Sequence, residues 1–176
     1  MNYHNITYPD MNNGDGLRVV LWLSGCSHHC YNCQNPQTWD VNSGIPFDKS
    51  AKEELFRELD KNYISGLTLS GGDPLHEANL DGVLDLVNKI RLSFPNKTIW
   101  IYSGYRWSEI FNDGVYLTRD CAGWKRREIV KKCDVMIDGK YIDSLRDPQL
   151  KWKGSSNQHV INIEKSMIKG EIVLWD

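Results

Sequence analysis

The sequence predicts an α/β fold: an open, partial (β/α) barrel around a mostly parallel sheet, shorter than a full TIM barrel. Short apolar runs that end in glycine alternate with amphipathic stretches along most of the chain, the pattern of βαβ units. Turn residues are scattered rather than gathered into one linker, and at roughly 150 residues per domain a chain of 176 residues is expected to make a single domain, residues 1–176. The same length falls short of the roughly 250 residues of a closed eightfold barrel, which leaves the sheet open.

Leu17 to Ser24 (LRVVLWLS) is a β-branched and aromatic run ended by Gly25 and reads as a buried strand. Ser50 followed by Glu53 has the form of a capping box, and Leu55, Phe56 and Leu59 line one face of the helix it would open, which runs to about Lys61. The run GLTLS, residues 66–70, is a second strand that breaks at Gly71-Gly72-Asp73-Pro74. Leu80, Val83, Leu84, Val87 and Ile90 then recur at helical spacing up to the stop at Pro95. A third strand, Thr98 to Ser103 (TIWIYS), precedes a weak helix near Trp107 to Phe111. Trp124 to Lys132 reads as a helix and Asp134 to Asp138 (DVMID) as the next strand, ended by Gly139. In the tail, His159 to Ile163 and Glu171 to Trp175 look strand-like and able to pair.

Lys and Arg number 21 against 23 Asp and Glu, a net charge of −2, so no basic excess is available to hold a polyanion. Nucleic acid is therefore not the expected partner. Apolar residues at 40% supply one core and argue against disorder. The longest apolar run, Val19 to Leu23, is too short to cross a bilayer, and the polar start MNYHNITYPD lacks the basic-then-apolar pattern of a secretory signal. No membrane association is expected, and the expected location is the cytoplasm.

Five cysteines do not pair evenly, and Cys26, Cys30 and Cys33 crowd into CSHHCYNC on the loop leaving the first strand. In a reducing compartment such a group reads as metal-binding or redox-active, since thiolates are soft ligands that stay free to coordinate. The spacing CxxxCxxC suits a four-iron cluster held by three thiolates, whose fourth iron stays open as a catalytic metal requires. A small zinc-binding module or a plain electron carrier is the rival from another class. Zinc would need a fourth ligand, and His28 or His29 inside so tight a loop is poorly placed to close a tetrahedron. Both histidines are accordingly expected to face solvent or the backbone.

Tyr31 offers a platform for a planar base, and Cys121 and Cys133 read as small buried hydrophobes. The break SGGDP, residues 70–74, frees the backbone to approach a ligand at the carboxyl edge of the sheet, beside the cysteine loop. A ligand's amino group would meet the strand-end carbonyls and Asp73 there, so a side chain at Gly72 is expected to weaken binding without removing metal. Lys125, Arg126, Arg127, Lys131 and Lys132 make a basic helix expected to be a solvated face, with a docking role as the alternative.

CxxxCxxC followed by a GGDP strand end resembles the radical S-adenosylmethionine superfamily. Taken in order, MNYHNITYPD, NGDGLR, SGCSHHCYNCQNPQTW, NSGIPF, LTLSGGDPL, IWIYSGY, VMIDGKY and WKGSSNQ resemble the glycyl-radical activases of that superfamily that serve anaerobic ribonucleoside-triphosphate reductases. Asp15 departs from the family's usual Pro, Gln34 from its common Tyr, and residues 113–125 read as an insertion. The resemblance implies a [4Fe-4S] cluster on Cys26, Cys30 and Cys33, the catalytic centre, with S-adenosyl-L-methionine bound at the open iron. Reductive cleavage of the sulfonium would then lead to abstraction of hydrogen from a glycine Cα in the large subunit of the reductase.

By position in the same resemblance, Tyr31, Asn32, Cys33 and Gln34 border the adenine, and Gly71, Gly72, Asp73 and Pro74 receive the methionine amino group. Lys140, in Asp138-Gly139-Lys140, either pairs with the cofactor carboxylate or belongs to a surface turn. A small one-electron donor such as a flavodoxin is the other implied partner. An activase of a different glycyl-radical enzyme, such as pyruvate formate-lyase, is the alternative within the same chemistry.

Overall fold

In the computed structural model, which describes residues 1–111 and 121–176, each apolar run read as a strand between residues 17 and 163 becomes a strand of one sheet. The strands are β1 (Asn2–Asp10), β2 (Arg18–Leu23), β3 (Ile45–Pro46), β4 (Gly66–Gly71), β5 (Thr98–Tyr102), β6 (Val135–Asp138) and β7 (His159–Asn162). Among the described residues they form a seven-stranded open sheet in the order β3-β1-β2-β4-β5-β6-β7. Its centre, β2, β4, β5 and β6, is parallel, while β1, β3 and β7 join antiparallel at the two sides. Parallel neighbours need long crossovers. These carry α1 (Lys49–Leu59), α2 (Leu80–Ser93), and the pair α3 (Trp107–Ile110) and α4 (Ala122–Lys131), with α5 (Ile163–Lys169) following β7.

The central strands are buried on both faces, as their near-continuous apolar runs require. Val19, Leu21, Leu23, Leu67, Leu69, Ile99, Ile101 and Met136 face α1, α2 and α4, meeting Leu55, Leu59, Val83, Leu86, Val87, Ile129 and Val130 in the main core. The alternate residues Trp100, Val135, Ile137 and Val160 form a second cluster on the other face, with Tyr102, Trp152 and Trp175 packed against it. At the amino edge the buried Arg18 donates to Thr68 Oγ1 (2.7 Å), Leu67 O (2.6 Å), Thr98 O (3.0 Å), Thr98 Oγ1 (2.9 Å) and Asp15 O (3.0 Å), and lies 5.2 Å from the Trp100 ring centroid.

Four features depart from the sequence reading. The first is β1, whose residues NYHNITYPD bury only Tyr3 and Ile6 among its hydrophobics and so show no apolar run to read. The cap of α1 is the second: Asp48, not Ser50, accepts the Ala51 amide at 3.0 Å. In the tail, Glu171 to Trp175 makes no strand but a single bridge, Ile161 with Leu174, flanked by Asn162 N to Val173 O and Trp175 N to Val160 O at 2.8 Å; the unexpected α5 fills the gap between. The basic helix α4 is not a solvated face. Lys125 pairs with Asp81 at 2.6 Å, Arg126 donates to Leu75 O at 2.9 Å over the Tyr105 ring, Arg127 donates to Ile110 O at 3.2 Å, and Lys131 pairs with Glu128.

Residues 113–120 of the expected insertion lie outside the described residues, and 121–125 open α4. Cys133 is buried as expected, whereas Cys121 caps α4, its sulfur accepting the Trp124 amide at 3.3 Å. Among the described residues no helix is long and apolar enough to cross a membrane.

Candidate metal and cofactor site

Parallel strands deliver their outgoing loops to one edge, and here the loops after β2, β4, β5 and β6 converge there. They enclose a cavity of about 140 Å³ lined by Cys26, His28, Cys30 and Cys33, by Ser70, Gly71, Gly72 and Asp73, by Tyr102, Ser103 and Gly104, and by Gly139, Lys140, Tyr141 and Gln158. A second cavity of about 220 Å³ adjoins it, sharing Cys33, Ser70, Tyr102, Tyr141 and Gln158 and adding Trp22, Gln34 and Asn35.

The cysteine loop is held closed at both ends. Gly25 N bonds Thr38 O at 2.7 Å and Cys26 N bonds Trp39 O at 3.0 Å, while Cys33 N turns back onto Cys30 O at 3.1 Å. His29 and Asn32 sit at φ 47° and 53°, a region side-chain-bearing residues enter at a cost and mostly where the surroundings demand it. The glycine break crosses this loop: Gly72 N donates to Leu23 O and Asp73 N to Gly25 O, both at 2.7 Å, and Asn79 Nδ2 donates to Ser24 O at 2.7 Å and Asp73 O at 3.1 Å.

All three loop thiols are free and partly buried. Burial pushes the Cys26 thiol up to about 11 and raises Cys30, the latter partly offset by the nearby Lys140 charge. Such thiols stay protonated at neutral pH until a cation takes the proton's place. Among the described residues no three His, Cys, Asp or Glu side chains close on one point as ligands of a single metal ion. A cubane makes no such demand, because each thiolate binds its own iron. Three soft donors outside any disulfide and spread round one pocket therefore fit an iron–sulfur cluster.

The other site residues named from the sequence divide. Gly71, Gly72, Asp73, Lys140 and the three cysteines share the first cavity, and Gln34 joins Cys33 in the second. Pro74 is buried beside the break. Tyr31 is 78% exposed and lines a separate outer cavity with Tyr141, Ile142, Asp143 and Ser144; Asn32 is also outward, its amide 3.2 Å from Asp143 Oδ2. Asp73 is not free to receive an amino group. Its carboxylate already accepts from Leu75 N (2.8 Å), Ser103 Oγ (2.9 and 3.0 Å), Gly104 N (3.0 Å) and His28 Nε2 (2.7 Å).

His28 thus corrects the expectation of an outward or backbone-facing loop histidine, while His29 is exposed and packs edge-on against Trp39. Sequence reading also missed Ser103, Gly104, Tyr141 and Gln158. The signal lay in the polar and glycine positions that follow the strand runs, Ser103-Gly104 after TIWIY and the Gly-Ser-Ser-Asn-Gln of WKGSSNQ, whose side chains readily bond backbone; Tyr141, at the end of VMIDGKY, carried none. Gln158 accepts from Gly154 N at 3.0 Å and Ser155 N at 3.2 Å while donating to Gly139 O at 2.9 Å, and Asn157 donates to Lys140 O at 2.9 Å, so this turn braces the loop that carries Lys140.

Residues 12–161 match the family described as a 4Fe-4S single cluster domain. The chain is 41% identical to the anaerobic ribonucleoside-triphosphate reductase-activating protein of Escherichia coli K12, over 91% of this chain and 97% of that one. It is also 41% identical to the protein of that name from enterobacteria phage T4, over 91% and 93% of the two chains. With that of Vibrio cholerae it shares 38% identity, over 90% and 96%.

Proposed function

The chain belongs to the family of anaerobic ribonucleoside-triphosphate reductase-activating proteins, and from that premise we propose that it is a radical S-adenosylmethionine enzyme that generates the glycyl radical of such a reductase. Cys26, Cys30 and Cys33 would hold a [4Fe-4S] cluster by one thiolate each, leaving one iron for S-adenosyl-L-methionine. When bound, the two supply one-electron cleavage of a sulfonium and the hydrogen abstraction that leaves a radical on the partner's glycine.

The chain's own residues bind, orient and exclude water. Because the Asp73 carboxylate is engaged, the methionine amino group would meet the main chain of Gly71 and Gly72, and the exposed Lys140 beside Cys30 would take the carboxylate. Cys33, Gln34 and Tyr141, in the adjoining cavity, would border the adenine, with Tyr31 and Asn32 outside it. The open sheet would be a partial (β/α) barrel, residues 1–176 one domain in the cytoplasm, and a small one-electron donor such as a flavodoxin the reductant.

The observation that carries the reading is the convergence of three free CxxxCxxC thiols with the glycine break on one pocket at the carboxyl edge. Anaerobic reconstitution should yield one four-iron cluster, lost in Cys26→Ala, Cys30→Ala and Cys33→Ala and kept in Cys121→Ala and Cys133→Ala. With reductant, S-adenosyl-L-methionine and the reductase, electron paramagnetic resonance should show a carbon-centred doublet on the reductase. Full iron content in Cys30→Ala would sink the cluster assignment; a doublet on pyruvate formate-lyase with none on the reductase would replace the partner.

A further inference from the structure

Of the two histidines in the cysteine loop, His28 turns inward. Its side chain is 10% exposed, its Nε2 donates to Asp73 Oδ2 at 2.7 Å, and its ring meets Tyr105 edge-on at 4.8 Å. It lies so close over Gly104 that a Cβ there would come within 2.2 Å of the imidazole. Asp73 itself is 2% exposed, and a carboxylate so buried needs donors on both oxygens. They come from different loops: His28 follows β2, Leu75 follows β4, and Ser103 and Gly104 follow β5. None of these loops can shift without leaving the carboxylate short of a partner.

We infer that His28 is a positioning residue for the metal centre: by its bond to Asp73 it fixes the arc between Cys26 and Cys30 against the glycine break before iron arrives. The inference rests on the reading of the three cysteines as cluster ligands. Two features of the arc support it. The chain at His29 holds a positive φ of 47°, a conformation that side-chain-bearing residues keep mostly where the surroundings impose it. Asp73 and His28 also line the same cavity as Cys26, Cys30 and Cys33. His28 therefore has a second effect, because its donated hydrogen bond offsets negative charge on the wall of the cavity where the sulfurs would carry iron, and outer hydrogen bonds of this kind set a metal centre's potential.

His28→Ala and His28→Gln separate the bond from the bulk, since the Gln amide can donate where Nε2 does. In iron-free protein, amides of residues 25–34 and of Gly104 should exchange about tenfold faster in His28→Ala, the factor expected for loss of roughly one net hydrogen bond, and return toward the parent in His28→Gln. After anaerobic reconstitution the cluster's midpoint potential should fall in His28→Ala and recover in His28→Gln. Parent-like exchange together with a parent-like potential in His28→Ala would overturn the inference, as would a His28→Gln protein that matches His28→Ala in both. If His28→Ala does not fold, His28→Gln against the parent decides it, with near-parent values in both measurements expected. A parent that takes up no iron would defeat the cluster reading instead, and exchange in the iron-free proteins would still decide the clamp.

Discussion

A Cβ on Gly72 would lie 2.5 Å from the carbonyl oxygen of Gly25, and one on Gly71 would lie 2.6 Å from the amide nitrogen of Leu23. Both obstacles are main chain, which cannot swing aside. The glycine pair is therefore required first by the crossing of two chain segments and only then by any ligand, and Gly25 is the neighbour of Cys26. It follows that a side chain at Gly72 displaces the cysteine loop as well as the pocket. Gly72→Ala should lose more than half of the iron bound by the parent after reconstitution, together with S-adenosyl-L-methionine binding; iron analysis and equilibrium binding on the same sample check this, and full iron with impaired binding would restore the simpler view of Gly72 as a ligand contact. The sequence makes the glycines conspicuous but not their neighbours, because a contact between residues 25 and 72 depends on strand order. For the same reason CxxxCxxC was legible as a ligand set, while the partner of His28, forty-five positions away, was not.

At the scale of elements, legibility followed the burial of apolar side chains. The strands β2, β4, β5 and β6 are buried on both faces and announce themselves as apolar runs, and α2 announces itself by periodicity, although Leu86 rather than Leu84 completes its fully buried face. Where polar chemistry decides, the sequence is ambiguous. Asp48 and Ser50 are both good caps, and the chain uses the first, so that α1 starts at Lys49 and Leu55 and Leu59 still point into the core. Losing a used cap costs about 1 kcal/mol, and losing an idle serine costs a few tenths. Asp48→Ala should accordingly lower the urea midpoint of iron-free protein clearly, and Ser50→Ala should leave it within error. An equal loss in both would mean that the helix frays to a later start in solution.

Across the whole molecule, two buried ions stitch opposite edges of the same three strands. Asp73 gathers the loops leaving β2, β4 and β5, while Arg18 gathers the residues at which those strands begin, through Leu67, Thr68, Thr98 and Asp15. Burial lowers the Arg18 pKa to about 10, so the guanidinium keeps its proton at neutral pH, and the oxygens it satisfies are hydroxyls and main-chain carbonyls. Only a planar fork with several donors can serve so many acceptors at once. Arg18→Met would retain bulk against Trp100 but leave buried oxygens unpaired, at about 1–3 kcal/mol for such a group. The molecule should then melt several degrees lower as one cooperative unit. The carboxyl edge does not share these bonds, so the reconstituted variant should keep the parent's iron content and cluster spectrum below its transition. Calorimetry of the iron-free protein and electron paramagnetic resonance of the reconstituted one measure the two halves of this expectation. A normal melting temperature would remove Arg18 as the tie at the amino edge; a changed cluster spectrum in a stable variant would mean instead that the two edges communicate through β2, which begins at Arg18 and ends three residues before Cys26.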